Sequence, residues 1–172
     1  MDSKPIALAL EEAHPSPSLH LDSPYLAHTA DSSPTPQKIE VLSPTIITPL
    51  VGFWIPLIPE KLLNPPSKEY FIRTREARYG VSLAQVAKAK ATEEAWIEVL
   101  PPLKELGALL GENEEGHFLM GKTPSYADLV VVGWLQFFKA VDEAIYKRVV
   151  EIEPKLGELY NASKQWVKRD DH

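Results

Sequence analysis

The chain has 172 residues, no cysteine, 24% charged and 44% hydrophobic residues, and a net charge of -6. This is ordinary globular composition, enough for one domain or one and a fraction. It excludes a disulfide scaffold, thiolate zinc sites and a cysteine nucleophile. With 18 basic against 24 acidic residues and no basic run, the charge argues against nucleic acid or an anionic membrane as partner. No stretch approaches the roughly 18 consecutive apolar residues of a membrane span. The opening Met1-Asp2-Ser3-Lys4 lacks a basic segment followed by an apolar core, so no signal peptide is read and a cytoplasmic protein is expected.

Composition shifts along the chain. Twelve of the 16 prolines, but only ten charges, lie in residues 1–66; the other 32 charges lie in 67–172. Proline blocks helix interiors, so the first third should hold short helices and extended pieces, and the remainder long helices. The small, polar, proline-punctuated Ala30-Asp31-Ser32-Ser33-Pro34-Thr35-Pro36 reads as a linker.

In chain order, Ile6, Ala9, Leu10 and Ala13 fall at helical offsets behind Ser3, read as an N-cap, with Pro5 in the first turn. His14-Pro15-Ser16-Pro17 stops that helix. A weaker helix is expected from Gln37 to about Leu50, kinked or split by Pro44 and Pro49. Val51 to Leu63 is apolar and ambiguous between helix and extended chain. Ser67 is read as the cap of a helix ending near Gly80. Ser82 starts the next, whose face is Trp96, Val99, Leu100, Leu103, Leu106 and Leu110, kinked at Pro101-Pro102 and stopped at Gly111. Residues 112–122 read as a loop anchored by Phe118 and Leu119.

The strongest local signal is Ser125-Tyr126-Ala127-Asp128, a capping box opening a run that is apolar on every face, Leu129 to Phe138. Valines and aromatics there also suit a strand. The cap and the length favour a helix, and a helix apolar all round must be central. Two amphipathic helices follow, one over about Glu143 to Ile152. The other starts at Pro154, with Leu156, Leu159, Tyr160, Ser163, Trp166 and Val167 on its buried face.

These residues resemble the glutathione transferase family. Gly121-Lys122-Thr123-Pro124-Ser125-Tyr126-Ala127-Asp128 is similar to the family's capping motif, G-x-x-x-S-x-A-D. The opening Asp2-Ser3-x-x-Ile6-Ala7-x-x-Leu10-Glu11-Glu12 resembles the turn and helix that close its thioredoxin-like domain. Pro49-Leu50-Val51-Gly52-Phe53-Trp54-Ile55-Pro56 and Glu69-Tyr70-Phe71-x-Arg73-Thr74-Arg75-Glu76 resemble fungal members related to bacterial beta-etherases. The resemblance implies an all-α fold, a helical bundle of the family's C-terminal type around a central buried helix, preceded by a remnant of the thioredoxin-like domain. The expected division is a remnant over 1–26, a linker or insertion over 27–38 and the helical domain over 39–172. The rest of the thioredoxin-like domain, which carries the thiol-activating residue, has no counterpart here. That implies a truncated gene or a naturally shortened protein, and it leaves the catalytic residue unassigned.

By the same resemblance, the expected activity is a glutathione transferase-like reaction of glutathione, as co-substrate, with a small apolar electrophile or biosynthetic intermediate. The alternative is a non-catalytic ligand-binding or interaction protein derived from a transferase. A homodimer is open. Asp2 and Ser3 match the residues that hold the γ-glutamyl carboxylate of glutathione, as a helix N-terminus favours; the plain reading of Ser3 is an N-cap. Trp54, Tyr70, Arg73 and Arg75 are candidates for the substrate pocket. Their plain reading is core aromatics with solvated arginines, Glu69 pairing with Arg73 one turn on. Asp128 reads as structural, and Trp134, Phe137 and Phe138 as core. His14, His20, His28, His117 and His172 show no ligand spacing, so no metal is expected, and no phosphate loop, H-E-x-x-H or G-x-S-x-G occurs.

Overall fold

Apolar residues spaced by three and four wind the chain into ten helices across residues 3–26 and 38–167, the part that the computed structural model describes. No strand forms among the described residues; two isolated bridges, Phe118 to Gly121 and Met120 to Thr123, tighten one loop. Helix α8 (Tyr126–Val141) is the axis of the bundle. Its Val131, Leu135 and Phe138 are wholly buried beside Val99, Leu103 and Leu106 of α7 (Glu93–Leu110) and Leu156 and Leu159 of α10 (Pro154–Ala162). Each such side chain contributes about 1.5–3 kcal/mol by leaving water. Helices α2 (Lys38–Ile47) and α9 (Glu143–Ile152) complete the main core.

A second, smaller core of Val51, Ile55, Leu83 and Val86 joins α3 (Val51–Trp54) to α6 (Leu83–Lys90). Helices α4 (Ile58–Lys61) and α5 (Pro65–Tyr79) flank it. The ambiguous stretch 51–63 thus forms two single helical turns, α3 and α4. Pro56 and Pro59 do not allow one longer helix. The weaker helix expected from Gln37 to Leu50 runs from Lys38 to Ile47, with Pro44 inside it. Of the expected 27–38 insertion, residues 27–37 lie outside the described residues, and Lys38 opens α2.

Several local readings change. The cap of α5 is Asn64, whose Oδ1 accepts from the N–H of Ser67 at 3.1 Å. Pro65 and Pro66 supply the first turn, where a missing N–H costs nothing; Ser67 is therefore a capped residue, not the cap. Gly80 closes α5 at φ 70°, a left-handed conformation open to glycine without a Cβ penalty. The helix expected to run on from Ser82 is two helices. Ser82 does cap α6 in a full box with Gln85, but the chain is extended at Thr92 before α7 begins. Glu93 and Glu94 then sit in the first turn of α7, where the helix dipole favours them. Helix α7 passes through Pro101 and Pro102 as one helix. Pro101 is exposed and Pro102 half-buried, and each leaves one carbonyl of the preceding turn without an intrahelical donor.

Two side chains expected in the core lie outside it: Leu100 is exposed on α7, and Trp166 is 47% exposed beyond α10, its ring tilted at 51° to that of Phe118 with centroids 6.0 Å apart. Helix α1 (Ser3–Ala13) forms where it was expected, but its expected apolar face, Ile6, Ala9, Leu10 and Ala13, is exposed, and among its residues with described side chains Ala7 alone is buried.

Candidate functional site

Helix α8 is central but not apolar-buried all round. Tyr126, Val130 and Phe137 are half-buried and Gly133 is exposed. At offsets of four, three and four they share one face, a stripe of aromatic and aliphatic surface with a notch at its middle. A Cβ built on Gly133 meets no atom within 4 Å. Trp54 of α3 flanks the far end of the stripe. Its ring meets that of Phe137 edge-on, with centroids 5.5 Å apart and planes at 78°, the arrangement that aromatic quadrupoles favour. Its Nε1 donates to the carbonyl of Ile47 at 3.0 Å, which fixes the indole and satisfies its polar edge. Trp134 and Phe138, beside the stripe on the flank of α8 that turns into the bundle, are core as read.

The near end of the stripe is set by hydrogen bonds. Asp128 is fully buried and its carboxylate gathers the start of α8 and the preceding loop. The N–H of Tyr126 donates to the carbonyl of Leu19 at 2.7 Å. The N–H of Leu19 in turn donates to the Glu11 carboxylate at the end of α1, at 3.0 and 3.1 Å to its two oxygens, and Ser18 Oγ donates to it at 2.5 Å. These bonds, the serine's first, hold the Glu11 carboxyl below its ordinary range. Helix α1 is therefore tied to the first turn of α8 through Glu11 and Leu19. On the same side, Tyr25 donates to Glu112 Oε2 at 2.9 Å, and Asn113 Nδ2 donates to the carbonyl of Leu119 at 2.5 Å. Burial pushes the Tyr25 hydroxyl up, with the Glu112 carboxylate adding to it.

The four residues read as a substrate pocket are placed apart. Trp54 is on the stripe. Arg75 lies over the ring of Phe71 at 4.8 Å, and Phe71, like Trp54, packs on the smaller core. Tyr70 is 61% exposed on the outer side of α5, with Arg73 over its ring at 5.8 Å. No ion pair joins Glu69 to Arg73. Asp2 and the side chain of Ser3 lie outside the described residues; Ser3 is the first residue of α1 rather than the residue before it. Spacing does not separate the α8 stripe from the core face, because the run is apolar on every face and Phe137 reads as core with its neighbours. Gly133, the one residue without a side chain in an otherwise bulky run, is the signal that the sequence holds.

A groove of about 950 Å³ lies elsewhere, between α2 and α7. Its walls include Pro44, Pro49, Pro101 and Pro102, and Glu94, Glu98 and Glu105 stand along it. Among the described residues no group of His, Asp or Glu is arranged to hold a metal ion, and no helix is long and apolar enough to cross a membrane.

A bundle around a boxed central helix defines the class, and comparison with known proteins gives the family. Residues 39–166 match the family "Glutathione S-transferase, C-terminal domain", and the chain belongs to it. A glutathione S-transferase-like protein of Aspergillus flavus, ustS, is 28% identical over 179 residues, covering 97% of this chain and 60% of the relative. The crystal structure of glutathione transferase GSTFuA2 from Phanerochaete chrysosporium superposes with a TM-score of 0.69 at 23% identity, over 99% of this chain and 66% of that one. That of a Ceriporiopsis subvermispora glutathione S-transferase in complex with glutathione gives 0.62 at 25% identity, over 97% and 65%. The chain thus spans 60% of the length of its curated relative and about two thirds of these solved chains.

Proposed function

We propose that this chain serves a glutathione transferase-like reaction, in which glutathione is the co-substrate and a small apolar electrophile lies against the α8 stripe beside Trp54. The observation that carries the reading is the half-exposed run Tyr126, Val130, Gly133 and Phe137, an apolar face with a notch on the central helix of a transferase-family domain. A related solved transferase binds glutathione. In such a reaction the thiol sulfur of glutathione forms a bond to carbon, the electrophile's leaving group departs and the thiol proton is released. A free thiol with a pKa near 8.5 is only a few per cent thiolate at neutral pH. What the stripe contributes is orientation and exclusion of water, the source of much rate enhancement when two reactants must meet. Asp2 and Ser3, at the start of α1, are the proposed anchor for the γ-glutamyl carboxylate. Of the other candidates, Trp54 flanks the stripe, Tyr70 and Arg73 are exposed on α5, and Arg75 lies over Phe71.

The test has two arms. Titration calorimetry of glutathione into the 172-residue chain should give binding that Ser3→Ala weakens, with the helical circular dichroism unchanged. Fluorescence titration with anilinonaphthalene sulfonate should show a site that a chlorodinitrobenzene displaces and that Trp54→Ala weakens. Absence of glutathione binding alongside an intact dye site would overturn the transferase reading in favour of a ligand-binding protein. A dye site indifferent to Trp54→Ala would overturn the pocket.

A further inference from the structure

Helix α1 is held to the bundle by one carboxylate more than by packing. Among its residues with described side chains Ala7 alone is buried, and helical stability in proteins comes mostly from a buried face. Glu11, half-buried in the last turn of α1, supplies the attachment. Its carboxylate accepts from Ser18 Oγ at 2.5 Å and from the N–H of Leu19 at 3.0 and 3.1 Å. Ser18 Oγ in turn accepts from the N–H of His20 at 3.0 Å. His20 has a φ of 51°. That left-handed conformation is uncommon for a residue with a Cβ and persists only where its surroundings fix it.

The clasped residues stand where the α8 stripe begins. The carbonyl of Leu19 accepts from the N–H of Tyr126 at 2.7 Å, and the half-buried Leu19 side chain packs on the main core. Beyond the loop the chain turns inward, with Leu21, Tyr25 and Leu26 buried. Trp54 bounds the other end of the stripe, at Phe137, so the stripe has a wall at each end. Tyr126 and Phe137 lie eleven residues apart on one helix, a span of about 16 Å. A single aromatic ring at the Gly133 notch covers only part of it. One wall is an indole fixed by its own hydrogen bond. The other is a loop whose place depends on Glu11.

We propose that Glu11 is a positioning residue for the apolar site: through Ser18 and Leu19 it fixes the wall at Tyr126, and that wall gives the site a preference for elongated apolar molecules that reach from Trp54 to Leu19. The inference rests on the proposed stripe site and adds the shape of its ligand. Glu11 acts through the loop, because both its oxygens are taken up by Ser18 and Leu19. Hydrogen bonds to an ionised acceptor are stronger than neutral ones. A glutamine, with one neutral carbonyl oxygen, therefore holds the loop less firmly, and an alanine does not hold it.

The experiment is fluorescence titration of the full chain with diphenylhexatriene, an uncharged rod with a ring at each end, and displacement of that dye by a chlorodinitrobenzene, which has one ring. The variants are Glu11→Ala, Glu11→Gln and, as the control for charge and helix propensity, Glu12→Ala at the exposed neighbouring position. Glu11→Ala should weaken binding of the rod by about tenfold, or 1.4 kcal/mol. Glu11→Gln should weaken it less and Glu12→Ala leave it unchanged, with the chlorodinitrobenzene affinity equal in every chain. Ser18→Ala should also weaken the rod, and should add nothing in the Glu11→Ala background, because both side chains act through one clasp. A purely structural role would lower Tm and leave the ratio of the two affinities as it is in the parent; that outcome overturns the inference. Rod affinity unchanged in Glu11→Ala does so too, as do additive effects of the Ser18 and Glu11 variants. A parent that binds neither probe overturns the stripe itself, and the inference with it.

Discussion

Asp128 and Leu119 are joined across the loop that leads into the central helix: Asp128 Oδ1 accepts from the Leu119 N–H at 2.8 Å. The other oxygen accepts from the N–H of Ser125 at 2.8 Å and from its hydroxyl at 2.6 Å. One carboxylate thereby caps α8 and fixes Leu119, itself fully buried, in the core. Asp128→Ala leaves three donors in the interior without an acceptor. Unsatisfied buried groups cost about 1–3 kcal/mol each, not additively, so a loss of about 2–4 kcal/mol is expected, several degrees in Tm. Calorimetry of the variant checks it, and an unchanged Tm would remove Asp128 from this role.

The same residue sets a pH dependence. Burial pushes the Asp128 carboxyl above its ordinary 3.8, and the hydrogen bonds from Ser125 and Leu119 offset this only in part. The folded state therefore holds the proton at pH values where the unfolded chain has released it. Its contribution to stability is full below 3.8 and declines as pH rises through the folded value. Asn at this position does not titrate. In urea unfolding, the parent's stability relative to Asp128→Asn should be greater at about pH 3 than at about pH 7. A difference that grows with pH would mean that the fold favours the carboxylate.

Gly52 and Gly133 should respond to alanine with opposite signs. A Cβ on Gly52 lies 2.4 Å from both the Ala91 nitrogen and the Lys90 carbonyl carbon, backbone atoms that hold α6 against α3. Nothing there can rotate away, so the helices must separate, at about 1–3 kcal/mol for an overpacked contact. Gly133 has open space, and relief of glycine's helix penalty should add about 0.5–1 kcal/mol. Chemical denaturation of both variants checks the pair; equal shifts would show that the close approach at Gly52 is absent.

Legibility in the sequence followed how local the cause was. Ser82 and Ser125 cap their helices as read, because a box of serine with Gln85 or Asp128 is complete within four residues. The central place of α8 was legible from its apolar length and its cap. The cap at Asn64 was missed because Ser67 offered the same chemistry three residues on, and only Pro65 at the first helical position decides between them. The break at Ala91 and Thr92 has no glycine or proline to mark it; Thr92 before Glu93-Glu94 was its only trace. The stripe on α8 and the separation of Tyr70 from Trp54 depend on which neighbours stand beside each helix, which spacing along one segment does not contain.

The notch at Gly133 is the most direct test of the proposed pocket. Open space around a built Cβ means that a leucine there projects over the stripe without displacing any protein atom within 4 Å of that carbon. Gly133→Leu should therefore fold with stability no lower than the parent, since leucine is also the better helix former. Its side chain would occupy the surface between Val130 and Phe137 that an apolar ligand needs. Affinity for anilinonaphthalene sulfonate should fall by about tenfold, or 1.4 kcal/mol, as it should for Trp54→Ala by the opposite route of removing a wall. Blocking and wall removal differ in one readout: a smaller probe such as benzene derivatives without a second ring should still bind Trp54→Ala but not Gly133→Leu. Dye affinity unchanged in Gly133→Leu, with the fold intact, would place the apolar site away from α8.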